Sequence, residues 1–177
     1  MSKRNNWEDF KNILEQHHIT TLYHFTDRDN LENIIKNGGL FSWKDCEERG
    51  ITIPKPGDGG PGSTSWSLDK RDGLEHYVRA NFTKQHPMMY VAMSEQRISN
   101  PVILEIDPEV IFDEQTKFSD RNATRSGANV GGNLEDFKKI HFHLLDSISF
   151  LILFLLLQLV HRLVQELLLQ RICNLLV

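Results

Sequence analysis

The sequence predicts one mixed helix-and-strand domain over residues 20–142, and three observations carry that expectation. A strand, a capping residue, a helix and a glycine stop follow one another without a gap across 21–39. Two further apolar runs, 88–93 and 102–106, read as buried strands. Composition is that of an ordinary folded protein, 40% hydrophobic and 25% charged, in a chain of 177 residues that suits one real core better than two.

Taken in order, residues 7–17 read as a short amphipathic helix with Trp7, Phe10, Ile13 and Leu14 on one face. A strand over 21–25 follows, rich in aromatic and β-branched residues. Thr26 or Asp27 can cap a helix over 29–37, whose apolar positions Leu31, Ile34 and Ile35 share a face, and Gly38-Gly39 ends it. From 42 to 66 the periodicity breaks. Pro54, Pro56 and Pro61 alternate with Gly57, Gly59, Gly60 and Gly62, so 54–67 reads as a surface loop, either a lid or a passive linker. Residues 121–132 read as another loop and 134–140 as a short helical turn. There is no internal repeat.

A net charge of −4 disfavours coating of duplex DNA by charge alone, while leaving room for a local basic patch. The first residues lack the apolar run of a secretory signal, and Cys46 and Cys173 are too far apart for metal-ligand spacing. Both read as free buried thiols in a reducing cytoplasm. No P-loop, Gly-x-Gly-x-x-Gly or His-Glu-x-x-His is present. The nearest histidine pairs, His17-His18 and His141-x-His143, have no matched second cluster, so no metal is expected.

Residues 147–177 change character: leucine dominates, and glycine, proline, alanine, lysine and threonine are all missing. The uncharged stretch 147–160 falls short of the ~20 residues that a membrane-spanning helix needs. Gln158, His161, Arg162, Gln165 and Glu166 recur at helical spacing, which predicts an amphipathic helical tail. Three readings of it stand: a helix docked on the domain or on a partner, a membrane-surface anchor, or a tail that replaced the natural end, as a frameshift would leave.

His24 is the main candidate for chemistry. It lies at the end of a strand just before a capped helix, where free backbone N–H groups suit a diphosphate or a ribose, and its imidazole can bond a ribose hydroxyl without changing protonation. The competing reading is a structural histidine.

Three blocks extend this. Leu22-Tyr23-His24-Phe25-Thr26-x-x-x-Asn30-Leu31-x-x-Ile34-Ile35-x-x-Gly38-Gly39-Leu40 resembles the opening of the DarT family of NAD-dependent DNA ADP-ribosyltransferases. Gly73-Leu74-x-x-Tyr77-Val78-x-x-x-Phe82-x-x-x-x-Pro87-Met88-Met89-Tyr90 is similar to its next landmark, in which a loop arginine precedes a Tyr-Val step and a Pro-Met-x-Tyr strand. Phe118-Ser119-Asp120-Arg121-Asn122 resembles a third, and the blocks occur in the family's order over residues 20–142.

The resemblance implies an α+β, mono-ADP-ribosyltransferase-like fold, a split pair of small sheets with flanking helices that clamps NAD. It divides the chain into an N-terminal helix (1–19), a transferase domain (20–146) and the leucine-rich helical tail (147–177). It implies NAD as ADP-ribose donor without a metal, transfer to a base of single-stranded DNA, thymine in the best-known branch, and a cytoplasmic toxin or phage-defence role with an antitoxin partner. By position, His24, Phe25 and Thr26 would hold the ribose and amide of NAD, and Ile34 and Ser42 would line the same pocket. Arg71 would be the catalytic arginine, with Lys70 as its substitute.

The reaction builds positive charge on the ribose as nicotinamide leaves, so a carboxylate must stand beside it. Glu166, in Gln165-Glu166-Leu167, is the only echo of the family's glutamate step. Two alternatives therefore remain at this point: an inactive NAD-binding remnant that lacks the acid, and an interaction protein acting through its tail on a partner or a membrane.

Overall fold

A computed structural model describes residues 2–142 and the strand Phe154–Leu157. The helices are α1 (Trp7–Gln16), α2 (Leu31–Lys36), α3 (Trp43–Arg49), α4 (Thr64–Asp72), α5 (Pro87–Ser94) and α6 (Leu134–Lys138). The strands are β1 (Leu22–Asp27), β2 (Val78–Ala80), β3 (Pro101–Ile106), β4 (Lys117–Ser119), β5 (Val130–Gly131) and β6 (Phe154–Leu157). They form two small sheets, β1-β3 and β2-β6-β4-β5, so the fold is α+β with flanking helices, as expected. The chain divides into two compact units. Among the described residues, one comprises 2–24, 79–87, 105–142 and 154–157, and the other 25–78 and 88–104.

The first unit is built on phenylalanine. Phe10 of α1, Phe118 of β4 and Phe137 of α6 are wholly buried, with ring centroids 4.7–5.6 Å apart. Phe82 and Phe142 extend the cluster around Phe137. Offset and edge contacts of this kind add to the large apolar area that each ring removes from water. Above the cluster, Arg4 places its guanidinium over Phe10 and Phe118 and donates to the carbonyls of Asp113, Thr116 and Gly132. α1 thus supplies core to the same unit as β4 and α6. β4 pairs antiparallel on both sides, Phe118 facing Gly131 of β5 and Leu155 of β6.

The second unit is organised by two helices that the broken periodicity hid. Ser42 caps α3 by accepting from Asp45 N, and Ser63 caps α4 by accepting from Trp66 N. Gly73, at φ 64°, closes α4 in the left-handed region that favours glycine. Trp43 and Trp66 stack between these helices and bury their rings. Among the described residues no helix is long and apolar enough to cross a membrane.

Three expectations are corrected. Residues 64–67 belong to α4, so the loop is shorter than 54–67. The run 88–93 lies in helix α5, not a strand. Pro87 opens it with a fixed φ and no N–H to satisfy, and Met89 and Ala92 face inward at a three-residue spacing while Tyr90, Val91 and Met93 are exposed. Residues 154–157, expected as helix, pair along β4 as a strand. A short apolar run without alternation fits either element, and tertiary pairing decides. The rest of the tail lies outside the described residues.

Candidate functional site

β1 carries the first block of candidate residues. Side chains alternate along a strand, so His24 and Thr26 share one face and Phe25 and Asp27 take the other. In the first unit, His24 Nδ1 lies 2.7 Å from the carbonyl oxygen of Arg79. A carbonyl only accepts, so Nδ1 carries the proton, and in the neutral ring Nε2 is the nitrogen with a lone pair. The tautomer is thus set by the backbone of β2.

In the second unit, Thr26, Asn30 and Lys55 form a buried knot. Asn30 Nδ2 donates to Thr26 Oγ1 at 2.9 Å and to the Lys55 carbonyl at 2.7 Å, while Asn30 Oδ1 accepts from Lys55 N at 2.9 Å. This ties the start of the Pro/Gly loop to the strand. Next along, Gly57 passes so close to Ile98 that a Cβ there would lie 3.0 Å from the Ile98 side chain and 3.9 Å from the Phe25 ring. Asp58 then accepts from the Trp66 indole at 2.7 Å and from Gly60 N at 3.0 Å. The loop is pinned at both ends.

Asp27 is fully buried and accepts four hydrogen bonds: from Asp29 N at 3.0 Å, Ser99 N at 2.7 Å, Ser99 Oγ at 3.3 Å and Asn100 N at 3.0 Å. Burial pushes its carboxyl up, but these donors outweigh burial and hold it below the usual aspartate range. Asp27 also occupies the turn where free N–H groups were expected to await a phosphate. That expectation is overturned: the following 3-10 turn, Arg28–Asn30, has its N-cap filled from within the chain, and α2 behind it has only six residues.

Ile34 is half-buried on α2, and the buried Ser42 hydroxyl is committed to the α3 cap. Arg71 was expected in a loop but lies in the last turn of α4, where its exposed guanidinium pairs with Asp72 at 2.7 and 2.8 Å. Lys70 Nζ sits 5.5 Å from the Trp43 ring. Glu166 and Cys173 lie outside the described residues. Asp120, in the third block, clips its loop by accepting from Asn129 N and Nδ2 at 3.0 and 3.1 Å.

Sequence reasoning assigned no role to Asn30 and missed Lys55 and Asp58, because a side-chain grip on a backbone 25 residues away leaves no spacing signal. It also missed a grouping of Asp45, Glu48 and His76, whose ligand atoms lie within 4.8 Å of one another. His76 Nδ1 already bonds Asp45 at 3.1 Å, and Lys44 lies 3.7 Å from Glu48, so these groups are engaged within the chain. Burial pushes the Cys46 thiol up to about 11, which makes it inert.

Comparison with known proteins agrees with this fold. The chain resembles a Thermus sp. 2.9 DarT solved with ADP-ribosylated single-stranded DNA, at 18% identity and a TM-score of 0.57, over 79% of this chain and 76% of that one. A second structure of Thermus sp. 2.9 DarT, with carba-NAD+, matches at 18% identity and a TM-score of 0.56, over 78% and 75%. No curated protein matches. The profile of the family described as "ssDNA thymidine ADP-ribosyltransferase, DarT" matches residues 23–151, which is well over half of the chain. The chain therefore belongs to the DarT family of single-stranded DNA thymidine ADP-ribosyltransferases.

Proposed function

We propose that this chain transfers ADP-ribose from NAD to the thymine of thymidine in single-stranded DNA. The observation that carries the reading is the family match over residues 23–151, which begins on the strand that sets His24 and Thr26 on one face. In this reading His24 hydrogen-bonds a ribose hydroxyl, and Thr26 meets the nicotinamide end of the dinucleotide. Phe25 packs the neighbouring loop into place, while Ile34 and Ser42 line the pocket.

The bond between nicotinamide and the ribose breaks, nicotinamide leaves with the bonding pair, and the ribose carbon bonds the base, which gives up a proton. Positive charge on the sugar is largest midway, and a carboxylate stabilises it. Glu166 is the proposed carboxylate. Arg71 is the proposed arginine, and to act it must leave Asp72 and turn to the diphosphate or the acceptor base. A toxin or phage-defence role in the cytoplasm, restrained by an antitoxin, completes the proposal.

The test mixes purified chain, NAD labelled in its adenosine half, and oligonucleotides with and without thymidine. Label should enter the thymidine-containing single strand and be absent from the duplex and from the strand without thymidine. Nicotinamide release with no labelled DNA would overturn the choice of acceptor.

A further inference from the structure

The Asn30 carboxamide has no freedom in how it is oriented. Lys55 N can only donate and the Lys55 carbonyl can only accept, so the oxygen of the amide must face the first and its nitrogen the second, as found at 2.9 and 2.7 Å. The remaining Nδ2 proton then points at Thr26 Oγ1, 2.9 Å away. Both residues are more than nine-tenths buried. Because the Thr26 oxygen accepts from Asn30, its own proton is directed elsewhere, and among the described residues nothing accepts it.

We propose that Asn30 is a positioning residue that makes Thr26 an obligate hydrogen-bond donor to an acceptor oxygen of the dinucleotide, and locks the loop at Lys55 beside it. The inference rests on the NAD-binding reading of β1. Without Asn30, a threonine hydroxyl could accept as readily as donate. With it, polarity is decided before the ligand arrives, so no reorganisation is needed on binding. Asn30 touches neither the substrate nor the reacting atoms in this scheme; it acts through Thr26.

The test is a double-mutant cycle on NAD affinity, read by calorimetry with the full chain. Asn30→Asp reverses the bond, since a carboxylate accepts only and captures the Thr26 proton. It should weaken NAD about tenfold, the worth of one hydrogen bond. Asn30→Ser, which adds no charge, should do the same. In a Thr26→Val background the same Asn30 changes should cost less than about twofold more, because the donor they orient is already gone.

A purely structural Asn30 predicts the opposite: a tenfold loss in either background, which overturns the proposal. An unchanged affinity in Asn30→Asp and Asn30→Ser overturns it too. A readout that needs no variant is the Asn30 side-chain amide in the unmodified chain, followed by NMR. Its proton facing Thr26 should shift on addition of NAD, and an unmoved resonance counts against the proposal. If the unmodified chain fails to bind NAD, the reading of β1 falls and this inference with it, whereas binding with additive losses removes only the role of Asn30.

Discussion

The indoles of Trp43 and Trp66 lie face to face, their centroids 4.1 Å apart and their planes 12° from parallel, and each N–H ends on an aspartate: Trp43 on Asp69 and Trp66 on Asp58. One stack therefore joins two helices and one loop. Trp66→Ala should cost about 3–5 kcal/mol by leaving a cavity in place of the ring. Trp66→Phe keeps an aromatic surface but removes the Asp58 bond. It should cost about 1 kcal/mol and speed deuterium exchange at 58–62, read by mass spectrometry.

Asp27 makes a sharper prediction. Replacing one carboxylate oxygen by NH2 in Asp27→Asn sets a donor against donors, and should cost about 2–3 kcal/mol in urea unfolding at neutral pH. Its folded pKa lies below the unfolded value, so its stabilisation is complete above the unfolded pKa and is lost as pH falls through the folded one. The gap between the parent chain and Asp27→Asn should accordingly close only below about pH 4.

His86 acts in a different window. It is 1% exposed, and burial pushes its pKa down to about 4. The unfolded chain binds this proton from about pH 6.5 downward, while the folded chain refuses it until about 4. Stability should therefore drop by about 1.4 kcal/mol per pH unit across that interval, roughly 3 kcal/mol in all. His86→Asn should flatten this part of the profile; an unchanged slope would place the titrating group elsewhere.

His24→Ala and Arg71→Ala should separate binding from transfer. His24→Ala should weaken NAD at least tenfold, through the loss of one oriented hydrogen bond. Arg71→Ala should slow incorporation about a hundredfold, beyond any loss of NAD affinity that a contact with the diphosphate would entail, as expected for a group acting in the transition state. Its melting temperature should not move, because an exposed pair between chain neighbours contributes little. Full activity in Arg71→Ala would transfer the role to another cation.

What could be read from the sequence was local. β1, the Asp27 cap and the Gly38 stop sit within eighteen residues, and each announces the next by spacing. α3 and α4 were equally well signed, Ser42 with Gly50 and Ser63 with Gly73, yet the prolines and glycines between them drew attention to the loop. α5 was mistaken because the apolar run 88–93 has no period long enough to tell a helix from a strand. At the site, His24 and Thr26 were visible as residue types at a strand end. Their hydrogen-bond polarity was not, since it is set by the Arg79 carbonyl and by Lys55, which only the folded chain brings near.

Arg4 has a consequence for how the protein is made. It leaves the ribosome well ahead of its acceptors Asp113, Thr116 and Gly132, which follow 109, 112 and 128 residues later. Until they emerge, the guanidinium and the Phe10 face of α1 have nothing to close upon. Contacts of such long sequence separation form late and slowly. Synthesis therefore passes through a long interval in which the apolar face of α1 waits for its partners, a window in which a chaperone would protect it and a binding partner could intercept it.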